Sequence, residues 1–120
     1  MHELSLASAI LAIVDEHADG RRVTQVEVRV GHLRQVVPDA LAYSFELVAQ
    51  GTPAEGAELV LQPVAAQGDC RACGARTRLT RFPLRCGTCG GLEIEIVSGE
   101  ELCVESLEVI DAQPALEEAL

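Results

Sequence analysis

Cys70-Arg71-Ala72-Cys73-Gly74 and Cys86-Gly87-Thr88-Cys89-Gly90 are two copies of one device, with twelve residues between the two pairs. Two residues between cysteines let both sulfurs face one ion from a tight turn. The glycine that follows tolerates the backbone conformation such a turn needs. Four thiolates at tetrahedral positions leave no open coordination site, which is the structural type of zinc centre. The intervening stretch is slightly shorter than the generic spacing for paired sites, yet long enough for a short hairpin out and back. The competing readings are two disulfides or a redox pair. Structural disulfides suit an oxidising compartment, and in a reducing cytosol paired CxxC sites point to metal before a redox pair. Arg71, Arg76, Arg78, Arg81 and Arg85 lie in the same stretch. A zinc ion with four thiolates carries a net charge of about −2, so these arginines are expected to favour the thiolate form. Cys103 is the odd cysteine. Its apolar surroundings predict a buried, inert thiol.

On the N-terminal side, Leu4, Ala7, Leu11, Val14 and Ala18 recur at three- and four-residue intervals, with Leu6, Ile10 and Ile13 widening the stripe. This predicts an amphipathic helix that starts close to the N-terminus and stops near Asp19-Gly20. Val26, Val28 and Val30 alternate with Glu27 and Arg29 as in a half-buried strand, and Gly31 ends it. Pro38-Asp39 is a favourable first helical turn. Leu41, Phe45 and Val48 mark the buried face of that second helix, and Gly51 its stop. Another strand is expected over 58–64. Beyond the cysteines, 92–97 and 102–110 read as two strands around a Ser98-Gly99 turn. The acidic, alanine-rich last ten residues read as a loose helix or a frayed end.

Composition narrows the function. The chain has 120 residues, 48% of them apolar, and a net charge of −10 from nine arginines against nineteen acids. Phosphate recognition needs positive charge at the contact, so the balance argues against nucleic-acid and anionic-membrane partners. The apolar run 6–14 is too short to span a bilayer. The start Met-His-Glu lacks the basic residues of a signal peptide, so the expected location is cytoplasmic. No phosphate loop and no nucleophile–base spacing appears, so no enzymatic activity is expected.

His2-Glu3 has apt chemistry for a carrier. An imidazole offered together with neighbouring backbone nitrogens suits square-planar Ni(II) or Cu(II). Such a site is exposed and able to release its ion. His17 and His32 read as solvated residues with nothing nearby to complete a metal site.

Met1-His2-Glu3-Leu4-Ser5 ahead of an amphipathic helix resembles the start of the hydrogenase nickel-incorporation proteins, the HypA/HybF family of metallochaperones. Val26-Glu27-Val28-Arg29-Val30-Gly31, Val37-Pro38-Asp39-Ala40-Leu41, Phe45-Glu46, Ala54-Glu55-Gly56-Ala57-Glu58-Leu59, the two cysteine pairs, Gly99-Glu100-Glu101-Leu102 and Ser106-Leu107-Glu108 are similar to that family's pattern in the same order. The resemblance implies an α+β chain. It has a small α/β nickel-binding domain, two helices on a mixed three-stranded sheet, with an inserted four-cysteine zinc ribbon. The implied layout is 1–66 for the first part of the nickel domain, 67–98 for the ribbon, 99–112 for a strand returning to the nickel domain, and 113–120 for a tail. It implies nickel at His2, with Glu3 as neighbour, and zinc at Cys70, Cys73, Cys86 and Cys89. It implies delivery of Ni(II) during maturation of the [NiFe]-hydrogenase large subunit. The implied partners are a nickel-handling GTPase accessory protein and the large-subunit precursor, with the chain a monomer or weak homodimer. Two rival readings are a nucleic-acid-binding zinc ribbon, suggested by the five arginines, and a structural adaptor in which His2 is dispensable.

Overall fold

A computed structural model describes residues 2–110. The element order is α1 (His2–Ala18), β1 (Arg22–Gly31), a 3-10 turn (His32–Arg34), α2 (Pro38–Val48), β2 (Glu58–Val64), β3 (Gln67–Cys70), β4 (Arg76–Arg78), β5 (Ile94–Ser98) and β6 (Leu102–Ile110). The helix or frayed end expected for the last ten residues lies outside the described residues.

The strands form two three-stranded sheets, ordered β2-β1-β6 and β4-β3-β5. In the first sheet Thr24 bonds the carbonyl of Glu108 and Gly31 that of Glu101, so β1 and β6 run antiparallel. Gln25 near the start of β1 reaches Glu58 at the start of β2, so these two run parallel and the sheet is mixed. In the second sheet β3 is central and antiparallel to both neighbours, with Gly68 opposite Thr77 on β4 and Ile96 on β5.

The described residues divide into two compact units: residues 2–28, 37–60 and 104–110, and residues 29–36 and 61–103. The first contains both helices, which pack on each other. Its core is Ala7, Ile10, Val14 and Ala18 of α1, Val23, Val26 and Val28 of β1, Leu41, Phe45 and Ala49 around α2, and Ala54. The α1 residues follow the expected three- and four-residue spacing, so the periodicity located the buried face; Leu4 and Ile13 flank it in solvent. In α2 Pro38 sits at the first turn and Asp39 follows it, as the dipole and the fixed proline φ favour. The second unit has a small core of Ala66, Cys70, Leu79 and Cys86.

The turn at Ser98-Gly99 leads from one sheet to the other: β5 pairs with β3, whereas β6 pairs with β1. One expectation needs correction. Cys103 is exposed. It lies on edge strand β6, where Leu102 and Val104 face partly inward and Cys103 and Glu105 alternate outward.

Candidate metal centres

The cysteine site is built by two matching turns. Cys70 closes β3, and its carbonyl accepts the N–H of Gly74 at 2.8 Å. Cys86 repeats this, its carbonyl accepting the N–H of Gly90 at 3.0 Å. Gly74 has φ +79° and Gly90 +75°, a left-handed conformation that a side chain disfavours. This is the reason each CxxC carries a glycine. The second turn is tied to the hairpin by Gly87, whose N–H donates to Thr77 Oγ1 at 3.0 Å. Asp69 and Arg76, opposite one another on β3 and β4, form a two-pronged ion pair at 2.8 and 3.1 Å.

The four sulfurs lie within 4.8 Å of one another. Cys70 and Cys89 are 3.6 Å apart at Sγ, as are Cys73 and Cys86. A tetrahedral zinc with Zn–S of about 2.3 Å requires sulfurs roughly 3.8 Å apart. The donor set therefore fits zinc. Disulfides are absent among the described residues, and all five cysteines are free thiols.

Backbone donors poise these sulfurs. The N–H groups of Cys89 and Thr88 point at Cys86 Sγ and draw its pKa down to about 6. The N–H of Cys73, helped by that of Ala72, lowers Cys70 likewise. Their partners move the other way. At Cys73 the N–H of Ala75 favours the thiolate, but the hydrogen bond with Cys86, with burial and the two remaining sulfurs, outweighs it and pushes the thiol up to about 12. At Cys89 the N–H of Gly91 is outweighed first by the bond with Cys70. In each close pair one sulfur is thus pulled towards its thiolate and the other away from it, and a divalent cation takes the place of the protons.

The arginines do something different from what their sequence position suggests. Among the described residues none donates to a cysteine sulfur. Arg76 pairs with Asp69, and Arg85 Nη1 donates to the Gly90 carbonyl at 3.3 Å. Peptide N–H groups, invisible in composition, supply the electrostatics that charge was expected to supply.

His2 is exposed in the first turn of α1. Glu3 is half-buried, and its Oε2 accepts the N–H of Val37 at 3.1 Å. That bond, with the residue's own N–H, lowers the Glu3 pKa; the charge of His2 adds less. Val37 is the residue before α2 and has no side-chain cap, so Glu3 ties the start of one helix to the start of the other. Nothing local in the sequence marks this bond, which spans 34 positions. His17 is exposed and its Nδ1 lies 2.9 Å from the Ile13 carbonyl. His32 is exposed too, with Nε2 3.4 Å from the Thr80 carbonyl. Neither has further metal-ligating side chains grouped with it among the described residues.

The family model described as hydrogenase/urease nickel incorporation, metallochaperone, HypA matches residues 1–109. The chain belongs to this family. Membership makes the HypA-family chain a nickel-incorporation metallochaperone and not an enzyme. It is 42% identical to the hydrogenase maturation factor HypA of Geotalea uraniireducens, covering 91% of this chain and 99% of that one. It is 37% identical to the protein of the same description from Nostoc punctiforme, over 91% and 96%. In fold it is similar to the solution structure of the Ni metallochaperone HypA from Helicobacter pylori, with a TM-score of 0.67 and 22% identity over 92% and 99% of the two chains. The match runs through both His2 and the four cysteines. Among the described residues, no helix is long and apolar enough to cross a membrane.

Proposed function

We propose that this chain carries Ni(II) in the cytoplasm to the large subunit of a [NiFe]-hydrogenase during its maturation, with His2 as the nickel ligand and Glu3 as the residue that positions it. Nickel is cargo, and zinc at Cys70, Cys73, Cys86 and Cys89 is structural. Partners of this reading are a nickel-handling GTPase accessory protein and the large-subunit precursor. In this layout residues 1–66 and 99–112 form the nickel domain and 67–98 the zinc module.

The observation that carries the reading is His2 in the first, solvent-facing turn of α1, next to a Glu3 whose carboxylate is tied to Val37. The first four N–H groups of a helix have no partner within it. A backbone N–H beside His2 can therefore give up its proton to solvent and coordinate an ion through nitrogen without breaking the helical ladder. Imidazole and amide nitrogens in one plane suit Ni(II), and an exposed site of this kind releases its ion readily.

The test is calorimetric nickel titration of zinc-loaded protein, wild type against His2→Ala. Wild type is expected to bind about one equivalent at micromolar affinity, with a loss of at least ~10-fold in the variant. Equal binding by both, or by neither, sinks the assignment of His2 and moves the structural-adaptor reading forward.

A further inference from the structure

The zinc module presents a surface that metal binding does not use. Leu79 and Cys86 are buried, at 3% exposure each. Leu79 donates its N–H to the Ala66 carbonyl at 2.9 Å, and Cys86 donates to that of Gly91 at 2.9 Å. Between these anchors runs Thr80-Arg81-Phe82-Pro83-Leu84-Arg85. Phe82, one of only three aromatic residues in the chain, is 55% exposed. Arg81 and Arg85 flank it and are exposed, as are Arg71 and Arg78 elsewhere in the module. Arg76 alone of the five has a carboxylate partner among the described residues. Residues 67–98 hold these five arginines against three acids, Asp69, Glu93 and Glu95, in a chain of net charge −10.

A single exposed apolar residue needs no explanation. An exposed aromatic residue with an exposed arginine on either side of it in the sequence, neither held by a carboxylate among the described residues, on a short loop anchored at both ends, is different. Aromatic and arginine side chains dominate the energetics of protein interfaces. A loop already held in shape loses little freedom on binding. Arginine forks match carboxylates in two-pronged geometry, and the ring supplies apolar area between them.

We propose that Arg81–Arg85 is a docking surface for an acidic segment of a partner protein, one whose carboxylates meet Arg81 and Arg85 and whose aliphatic side chain packs on Phe82. Charge complementarity favours a short carboxylate-bearing segment over a nucleic acid. With four thiolates and zinc contributing about −2, the module is near neutral as a whole, and a long polyphosphate meets the acidic remainder of the chain. A short segment responds to the local arginines within about one Debye length, roughly 8 Å at physiological salt. The surface needs zinc and owes nothing to nickel, so it stands or falls apart from the nickel reading.

The experiment uses full-length, zinc-loaded, nickel-free protein and a labelled peptide of alternating glutamate and leucine, read by fluorescence anisotropy. The proposal expects micromolar binding at low salt that weakens as salt rises. It expects a loss of about 10-fold or more for Phe82→Ala, and a similar loss with a flatter salt response for the double change Arg81→Gln, Arg85→Gln. Phe82→Leu, which keeps apolar area, restores most of the binding, and the glutamine–leucine peptide fails to bind. Zinc content measured for each variant keeps loss of fold apart from loss of contact. The proposal is overturned if the variants with full zinc bind like wild type, or if the glutamine peptide binds equally well. It is equally overturned if a mixed-sequence oligonucleotide displaces the glutamate peptide from the same residues, or if Phe82-dependent self-association accounts for the signal.

Discussion

At the scale of single residues, Glu3 shows how one carboxylate serves position more than charge. Its Oε2 takes the Val37 N–H at 3.1 Å, one of the donors at the start of α2 that no side chain of α2 itself caps. The bond favours the ionised form and sets the Glu3 pKa below the ordinary carboxylate range. Because the folded value is the lower one, the stabilisation is complete above the ordinary range and is lost as pH falls through the folded value. Glu3→Ala is therefore expected to lower the urea midpoint at neutral pH by roughly 0.3 M and to match wild type in strong acid. A gap that persists unchanged into acid means the side chain acts through packing. Neither this bond nor the exposure of Cys103 was legible in the sequence. The first joins residues far apart in the chain, and the second depends on β6 lying at a sheet edge, which apolar neighbours alone do not reveal.

At the scale of elements, periodicity carried most of the reading. Ala7, Ile10, Val14 and Ala18 are buried as three- and four-residue spacing requires, and Val26 and Val28 as two-residue alternation requires. Leu41 and Phe45, one helical turn apart, are both essentially inaccessible, at 0% and 1% exposure. Phe45 is the largest fully buried side chain. Phe45→Ala is expected to cost about 3–5 kcal/mol, because the close-packed surroundings relax only partly around the space left. Equilibrium urea denaturation followed by circular dichroism measures it; a loss of less than ~1 kcal/mol removes Phe45 from the core. Pairing is not a local property: β5 and β6 are adjacent in sequence around Ser98-Gly99 and join different sheets. Local pattern identifies a strand, and the choice of neighbour is made by the rest of the chain. The short strands β3 and β4, which hold the first cysteine turn, carry no apolar alternation that would announce them.

At the scale of the whole molecule, the two units are stabilised by different physics. The helical unit has a continuous apolar core drawn from both helices, β1 and Ala54. The cysteine segment has almost none. Within residues 67–98 the buried side chains are Cys70, Leu79 and Cys86, and two of these three belong to the four-cysteine cluster. Its strands β3, β4 and β5 are four, three and five residues long, which is marginal without added support. Removing zinc thus takes away the group around which the segment is organised, and the freed cysteines regain protons in its place. Chelation is expected to abolish amide-exchange protection across 67–98 while α1 and α2 keep theirs. Mass-resolved hydrogen exchange on zinc-loaded and chelated protein reads both in one experiment. Lowering the pH should have the same effect as chelation, since protons compete for thiolates that only the ion holds together. Protection retained across 67–98 in the absence of zinc means that Leu79 and the strand ladder suffice. Protection lost throughout means that the helical core depends on the metal as well. The division of buried residues predicts the selective outcome, because Ala7, Ile10, Val14, Leu41 and Phe45 bury apolar surface without any contribution from the ion.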